Sequence, residues 1–170
     1  GWLYLFKSHN AGVSWSQVEC PGLPDADDAE LAISNIFRIS GNEVIIAIQA
    51  YLPDYESVPT HYCGSSDGGE GWAYLSTVDN VTFSDFGSFE TGVAFADGKM
   101  YQTSDGGITW QDVSSGLPPA ITPVAVDMVS STYGFLTTSI SPETMDQNRI
   151  YMTVNNGTTW QSMPGIIVDP

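Results

Sequence analysis

Short apolar runs separated by glycine- and serine-rich turns organise this chain, and no run has helical spacing. Three pairs of strand-like segments stand out: Ile33–Ile39 with Glu43–Ala50, Val81–Phe86 with Gly92–Phe95, and Val124–Val129 with Tyr133–Thr137. No continuous apolar stretch is longer than Val44 to Ile48, which is only strand-sized. Shorter segments, Leu3–Phe6, Lys99–Gln102 and Arg149–Met152, each lead directly into a turn-rich octapeptide. The pattern predicts an all-β chain of hairpins.

Those octapeptides repeat. Aligned on the final tryptophan they run from Ser8 to Trp15, Ser65 to Trp72, Thr103 to Trp110 and Thr153 to Trp160, with the shared form [ST]-x-[DN]-x-G-x-[STG]-W. Four of the five tryptophans occupy that last position, so the placement is not accidental. The chemistry is that of a tight turn. The side chain at the third position (Asn10, Asp67, Asp105, Asn155) is expected to accept the backbone N–H two residues on. The glycine after it (Gly12, Gly69, Gly107, Gly157) supplies a positive φ. The hydroxyl residues tie back to the turn, and the tryptophan opens the return strand with a large apolar surface to bury. Nothing in this arrangement activates a nucleophile.

The motif resembles the Asp-box, or BNR, repeat found between the third and fourth strands of β-propeller blades. The copy from Thr103 to Trp110 matches throughout, two copies carry Asn for Asp, and the second has Gly71 in place of a hydroxyl residue. The resemblance extends to sialidase-like and photosystem-assembly-factor-like propellers, and it implies a structural motif lying away from the functional face. It also implies four-stranded antiparallel blades, and the intervals between the tryptophans average near that length. Ser76–Phe83 mimics a fifth, degenerate repeat, but it leaves too few residues before Trp110 for a blade. Val81–Phe86 is therefore read as an inner strand.

Counting strands gives one propeller segment over residues 1–170, with blades ending near residues 24, 78, 118 and 165. That amounts to about three and a half blades, at or below the edge of a closed ring. The expectation is a segment of a larger propeller, completed either by more of the same chain or by other copies. Gly165–Pro170 reads as the inner strand of a next blade.

Charge narrows the partners. Lys7, Arg38, Lys99 and Arg149 face twenty acidic residues, for a formal net charge of −16. Such a surface repels phosphate backbones and anionic headgroups, so no nucleic-acid partner and no membrane insertion are expected. Cys20 and Cys63 fit no CxxC motif and form either a disulfide or two buried thiols. Few lysines and many Ser, Thr and Asn residues lean towards an extracellular or cell-surface setting.

Candidate chemistry is sparse. Ile36-Phe-Arg-Ile-Ser40 and the apolar strand after it resemble the sialidase Phe-Arg-Ile-Pro strand. That resemblance makes Arg38 the carboxylate-binding arginine and Asp54 the acid/base, although Ser40 replaces the proline and a triarginyl site cannot be built from two arginines. Asp25, Asp27, Asp28 and Glu30 offer oxygens to calcium but lack the glycine and spacing of an EF-hand loop, so a solvated acidic loop is expected. Pro53–His61 reads as a long recognition loop, and His9 and His61 are isolated. No cofactor or catalytic residue is assigned. The leading expectation is a non-catalytic extracellular or surface binding and assembly module, with protein or carbohydrate partners. The alternatives are a fragment of a secreted sialidase-like glycoside hydrolase and a filament subunit completed by a neighbour's strands.

Overall fold

The computed structural model describes residues 4–23, 30–51, 57–119, 121–139 and 150–163. Asp25, Asp27, Asp28, Asp54 and the segment Gly165–Pro170 lie outside them. The described residues form fourteen β-strands and one 3-10 turn, Ser114–Gly116. The strands make four antiparallel sheets in strict chain order. The first has two strands, β1 (Leu5–Lys7) and β2 (Ser16–Val18). The second has four: β3 (Glu30–Arg38), β4 (Val44–Tyr51), β5 (Pro59–Ser65) and β6 (Ala73–Asp79). The third runs β7 (Val81–Phe86), β8 (Gly92–Ala96), β9 (Lys99–Thr103) and β10 (Gln111–Asp112). The fourth runs β11 (Pro123–Met128), β12 (Gly134–Thr138), β13 (Ile150–Thr153) and β14 (Gln161–Ser162).

Each four-stranded sheet is an up-and-down meander, and the second and third sheets each have one face on the sheet before and the other on the sheet after. That is the construction of propeller blades. The core lies between the blades, in three layers. Ile46, Ile48 and Cys63 of the second blade meet Leu5 and Cys20 of the first. Phe37, Ile45, Ala47 and Tyr62 of the second meet Phe86 and Trp110 of the third. Val93, Met100 and Val113 of the third meet Met128, Leu136, Tyr151 and Trp160 of the fourth. Alternation along β4 explains how one strand serves two layers: Ile46 and Ile48 point one way, Ile45 and Ala47 the other. Each fully buried isoleucine there contributes about 1.5–3 kcal/mol.

The passage from the second blade to the third takes a single residue. Asn80, at φ 53°, follows the last residue of β6 and precedes the first of β7. Its backbone N–H donates to the Val58 carbonyl (2.9 Å), and Val58 N–H returns a bond to Asn80 Oδ1 (2.8 Å). One step further, Gln49 Nε2 of β4 donates to the Val81 carbonyl at 3.4 Å. The chain thus leaves the outer strand and crosses β5 and β4 on its way inward, bonded at each step.

Two expectations need correction. The long recognition loop cannot extend to His61, because β5 begins at Pro59, a strand's first residue, where a missing N–H is tolerated. Glu30 is not part of a loop; it is the exposed first residue of β3 and pairs with Tyr51.

Candidate docking faces

The four turn repeats share one hydrogen-bond scheme. The first hydroxyl accepts the glycine N–H: Ser8 from Gly12 (2.7 Å), Ser65 from Gly69 (2.8 Å), Thr103 from Gly107 (2.8 Å) and Thr153 from Gly157 (2.9 Å). The third-position side chain instead accepts the N–H four residues on: Asn10 from Ser14, Asp67 from Gly71, Asp105 from Thr109 and Asn155 from Thr159, at 2.8–3.0 Å. The expected bond two residues on is therefore made by the hydroxyl, which leaves the Asx oxygen free to span the turn. Two successive residues take positive φ in each repeat, Ala11 and Gly12, Gly68 and Gly69, Gly106 and Gly107, Asn156 and Gly157. Ala11 adopts this conformation without the freedom of glycine.

Asp and Asn serve equally, for a reason visible in the seventh position. Thr109 Oγ1 donates to Asp105 Oδ2 at 2.6 Å, whereas Asn155 Nδ2 donates to Thr159 Oγ1 at 2.9 Å. The hydroxyl reverses its role when the carboxylate becomes an amide. Desolvation works against ionised Asp105, but the Thr109 and Thr103 bonds outweigh it and hold its pKa low. The Gly71 N–H and the Ser65 hydroxyl lower that of Asp67.

The tryptophans follow a rule that the motif does not spell out. Each packs towards the preceding blade. Trp72 joins the layer with the first blade and Trp160 the layer with the third. Trp110 stacks obliquely on Tyr62 of the second blade, with ring centroids 5.4 Å apart, and its indole N–H donates to Ser76 Oγ at 3.1 Å. The last repeat is further bonded to the third blade, with Asn156 Nδ2 donating to the Thr103 carbonyl (3.0 Å) and Trp160 N–H to that of Gly116 (3.2 Å). A Cβ on Gly116 would come within 1.7 Å of the Thr158 carbonyl oxygen. Trp15, in the first blade, has no described blade on that side and is 61% exposed, and Phe6 is 57% exposed.

The opposite face of the fourth blade likewise has no described blade against it. Ala125, Val126, Phe135, Ile150 and Met163 line a shallow apolar hollow there. Ile150 is 48% and Met163 40% exposed, although Met163 N–H is bonded to the Ile150 carbonyl at 2.8 Å. Sequence reading placed Ala125, Val126, Phe135 and Ile150 in strands but assigned none of the five to a site. Extending the repeat alignment past its tryptophan would have found Met163, which stands where the third blade has Val113, also bonded back to the strand (Val113 N–H to the Met100 carbonyl, 2.9 Å).

The remaining predicted residues do not converge. Arg38 lies exposed at the end of β3 and makes no ion pair with any described residue. Cys20 and Cys63 are joined in a disulfide that ties the first blade to the second. Lys7 Nζ adds a salt bridge to Glu70 of the second repeat at 2.5 Å, and His9 Nε2 lies 3.0 Å from the same carboxylate. His61 is buried, its Nδ1 within 2.9 Å of Thr77 Oγ1, and burial lowers its pKa while Asp79 raises it. Asp85 accepts the Met128 N–H of the fourth blade at 2.5 Å, and its pKa is raised by burial despite that bond. Among the described residues, no group of three or more His, Cys, Asp or Glu is placed to hold a metal, and no helix is long and apolar enough to cross a membrane.

No family model and no curated protein matches the chain. Among solved structures it is similar to YCF48 from Cyanidioschyzon merolae, with a TM-score of 0.37 and 12% identity over 89% of this chain. It is also similar to a structure of YCF48 bound to D1 peptide, with a TM-score of 0.30 and 8% identity over 82% of this chain and 85% of that one. The chain spans 61% of the first of these. At such levels the sheets themselves, and not these neighbours, define the class: an all-β protein built of four-stranded propeller blades.

Proposed function

We propose that this chain is a binding and assembly module, a propeller segment that works by being joined to another protein through an open blade face. The observation that carries this reading is the hollow on the fourth blade, where Phe135, Ile150 and Met163 offer contiguous apolar surface on a chain of net charge −16. Three equivalent faces within the molecule are each covered by a neighbouring element. The disulfide between Cys20 and Cys63 supports an oxidising, extracellular or surface location. The turn repeats, in the manner of Asp-boxes, serve as fasteners between blades.

The test is thiol accessibility in the full-length protein as its own host makes it. With the disulfide holding the two native cysteines, Ile150→Cys provides the reporter and Ile108→Cys, 56% exposed on a turn of the third blade, the control. The module reading expects a small neutral maleimide to label position 108 at least tenfold faster than position 150. Equal labelling would remove the reading.

A further inference from the structure

Among the described residues, two faces have no blade against them: the Trp15 face of the first blade and the Phe135 face of the fourth. Resting on the assembly reading above, we infer that a second copy of this chain occupies the fourth blade's open face, seated head to tail through the Trp15 face of its first blade.

The template is the contact between the third and fourth blades. On the third blade it uses Val93, Met100 and Val113, all buried, with Asp85 accepting a backbone N–H from across the gap. On the fourth it uses Tyr151 and Trp160, each 5% exposed. Strand pairing fixes which residues are equivalent. Val93 pairs with Gln102 and Phe135 with Met152, each partner lying just before the first residue of its repeat. Asp85 pairs with Val93 as Asp127 pairs with Phe135. Met100 and Ile150 each accept the N–H of the residue that follows the last strand of their blade. The open face therefore presents Asp127, Phe135, Ile150 and Met163 where the covered one presents Asp85, Val93, Met100 and Val113.

The first blade supplies the complementary half. Phe6 holds the place of Tyr151, two residues before the repeat, and Trp15 that of Trp160. Leu5, one residue earlier, points the other way into the layer with the second blade, so Phe6 and Trp15 face outward together. An exposed tryptophan and an exposed phenylalanine on one blade fit a hollow lined by Phe, Ile and Met. Because the two surfaces differ, the contact is heterologous, and it propagates into rings or filaments instead of stopping at a symmetric dimer. A net charge of −16 on each copy opposes the encounter, so association strengthens with salt.

Sedimentation velocity on the full chain tests this in molar salt, where the screening length is about 3 Å. The wild type is expected to form dimers and longer species as concentration rises. Trp15→Asp and Phe135→Asp are each expected to weaken association by at least about tenfold. An equimolar mixture of the two variants, each retaining one intact half, is expected to restore a 1:1 pair that does not extend. That complementation also shows that both variants are folded; if circular dichroism shows Phe135→Asp unfolded, Ile150→Asp takes its place. A wild type that stays monomeric at every concentration, or a mixture that stays monomeric, overturns the inference. So does association that survives Trp15→Asp. If a monomeric wild type is accompanied by a blocked thiol at position 150 in the host-made protein, another occupant covers the face and the module reading stands. If that thiol is open, both fall.

Discussion

Trp15 and Trp160 hold the same position in the same motif, yet removing them should have unequal consequences. Trp160 is 5% exposed between two blades, and truncating a buried tryptophan to alanine costs about 3–5 kcal/mol. Its indole nitrogen has no acceptor among the described residues, so the cost falls near the lower bound, about 3 kcal/mol. Trp15 is 61% exposed, and its covered portion together with the bond from Nε1 to the Gly12 carbonyl (3.0 Å) amounts to about 1–2 kcal/mol. Chemical denaturation followed by far-ultraviolet circular dichroism measures both without relying on tryptophan emission. The protein is kept dilute so that single chains are compared. Trp160→Ala should lower the midpoint clearly more than Trp15→Ala at unchanged m. Equal losses would mean that the tryptophan acts only within its own turn, and the packing rule for the blades would be wrong.

Reducing the disulfide should cost about 4 kcal/mol by loop entropy at a separation of 43 residues, and limited proteolysis should then release the first blade before the others. Asp105→Asn should cost under about 1 kcal/mol at neutral pH, since Asn155 makes the same backbone bond. Because the folded pKa of Asp105 is lowered, its contribution is present above the unfolded carboxylate pKa and is lost as pH falls through the folded value. The Asn variant should therefore lose less stability than wild type on acidification, as read from the melting temperature across the acid range. Asp85 has the opposite sign: its pKa is raised, by burial first and by Asp127 as a lesser cause, so ionisation weakens the fold as pH rises through the folded value. Asp85→Asn should raise the melting temperature at neutral pH and lose that advantage below the ordinary carboxylate range. Gly116→Ala, with its Cβ driven against the Thr158 carbonyl, should detach the fourth blade and show as lost hydrogen-exchange protection in β13.

What could be read from the sequence was the local chemistry. Each repeat closes on itself through a hydroxyl, an Asx oxygen and a positive-φ glycine, so its eight residues suffice to predict a hairpin. Strand locations followed, because apolar runs of strand length lay between such turns. What escaped was whatever depends on a second blade. Met163 and Ile150 look like ordinary apolar residues until the neighbouring layer shows that Val113 and Met100 are covered at the same positions. Gly116 after the third blade carries no signal of its own, yet the next repeat packs against it with no room for a side chain. The single-residue crossing at Asn80 depends on bonds to Val58 and on Gln49 beyond it, which no spacing rule reveals. Arg38 shows the converse: a strand that resembles an enzyme's can carry its arginine to an exposed end where it makes no ion pair with any described residue.

The order of the blades underlies every one of these statements, and the ring contact between Trp110 and Tyr62 reports it directly. The two rings belong to different blades and sit 5.4 Å apart between centroids. In a nuclear Overhauser spectrum of the dilute, oxidised protein, the Trp110 indole protons should show strong cross-peaks to the Tyr62 ring and to Phe86, 5.9 Å away. The Trp15 indole should show none to any other blade. Cross-peaks from Trp110 confined to its own repeat and to β9 would contradict the account.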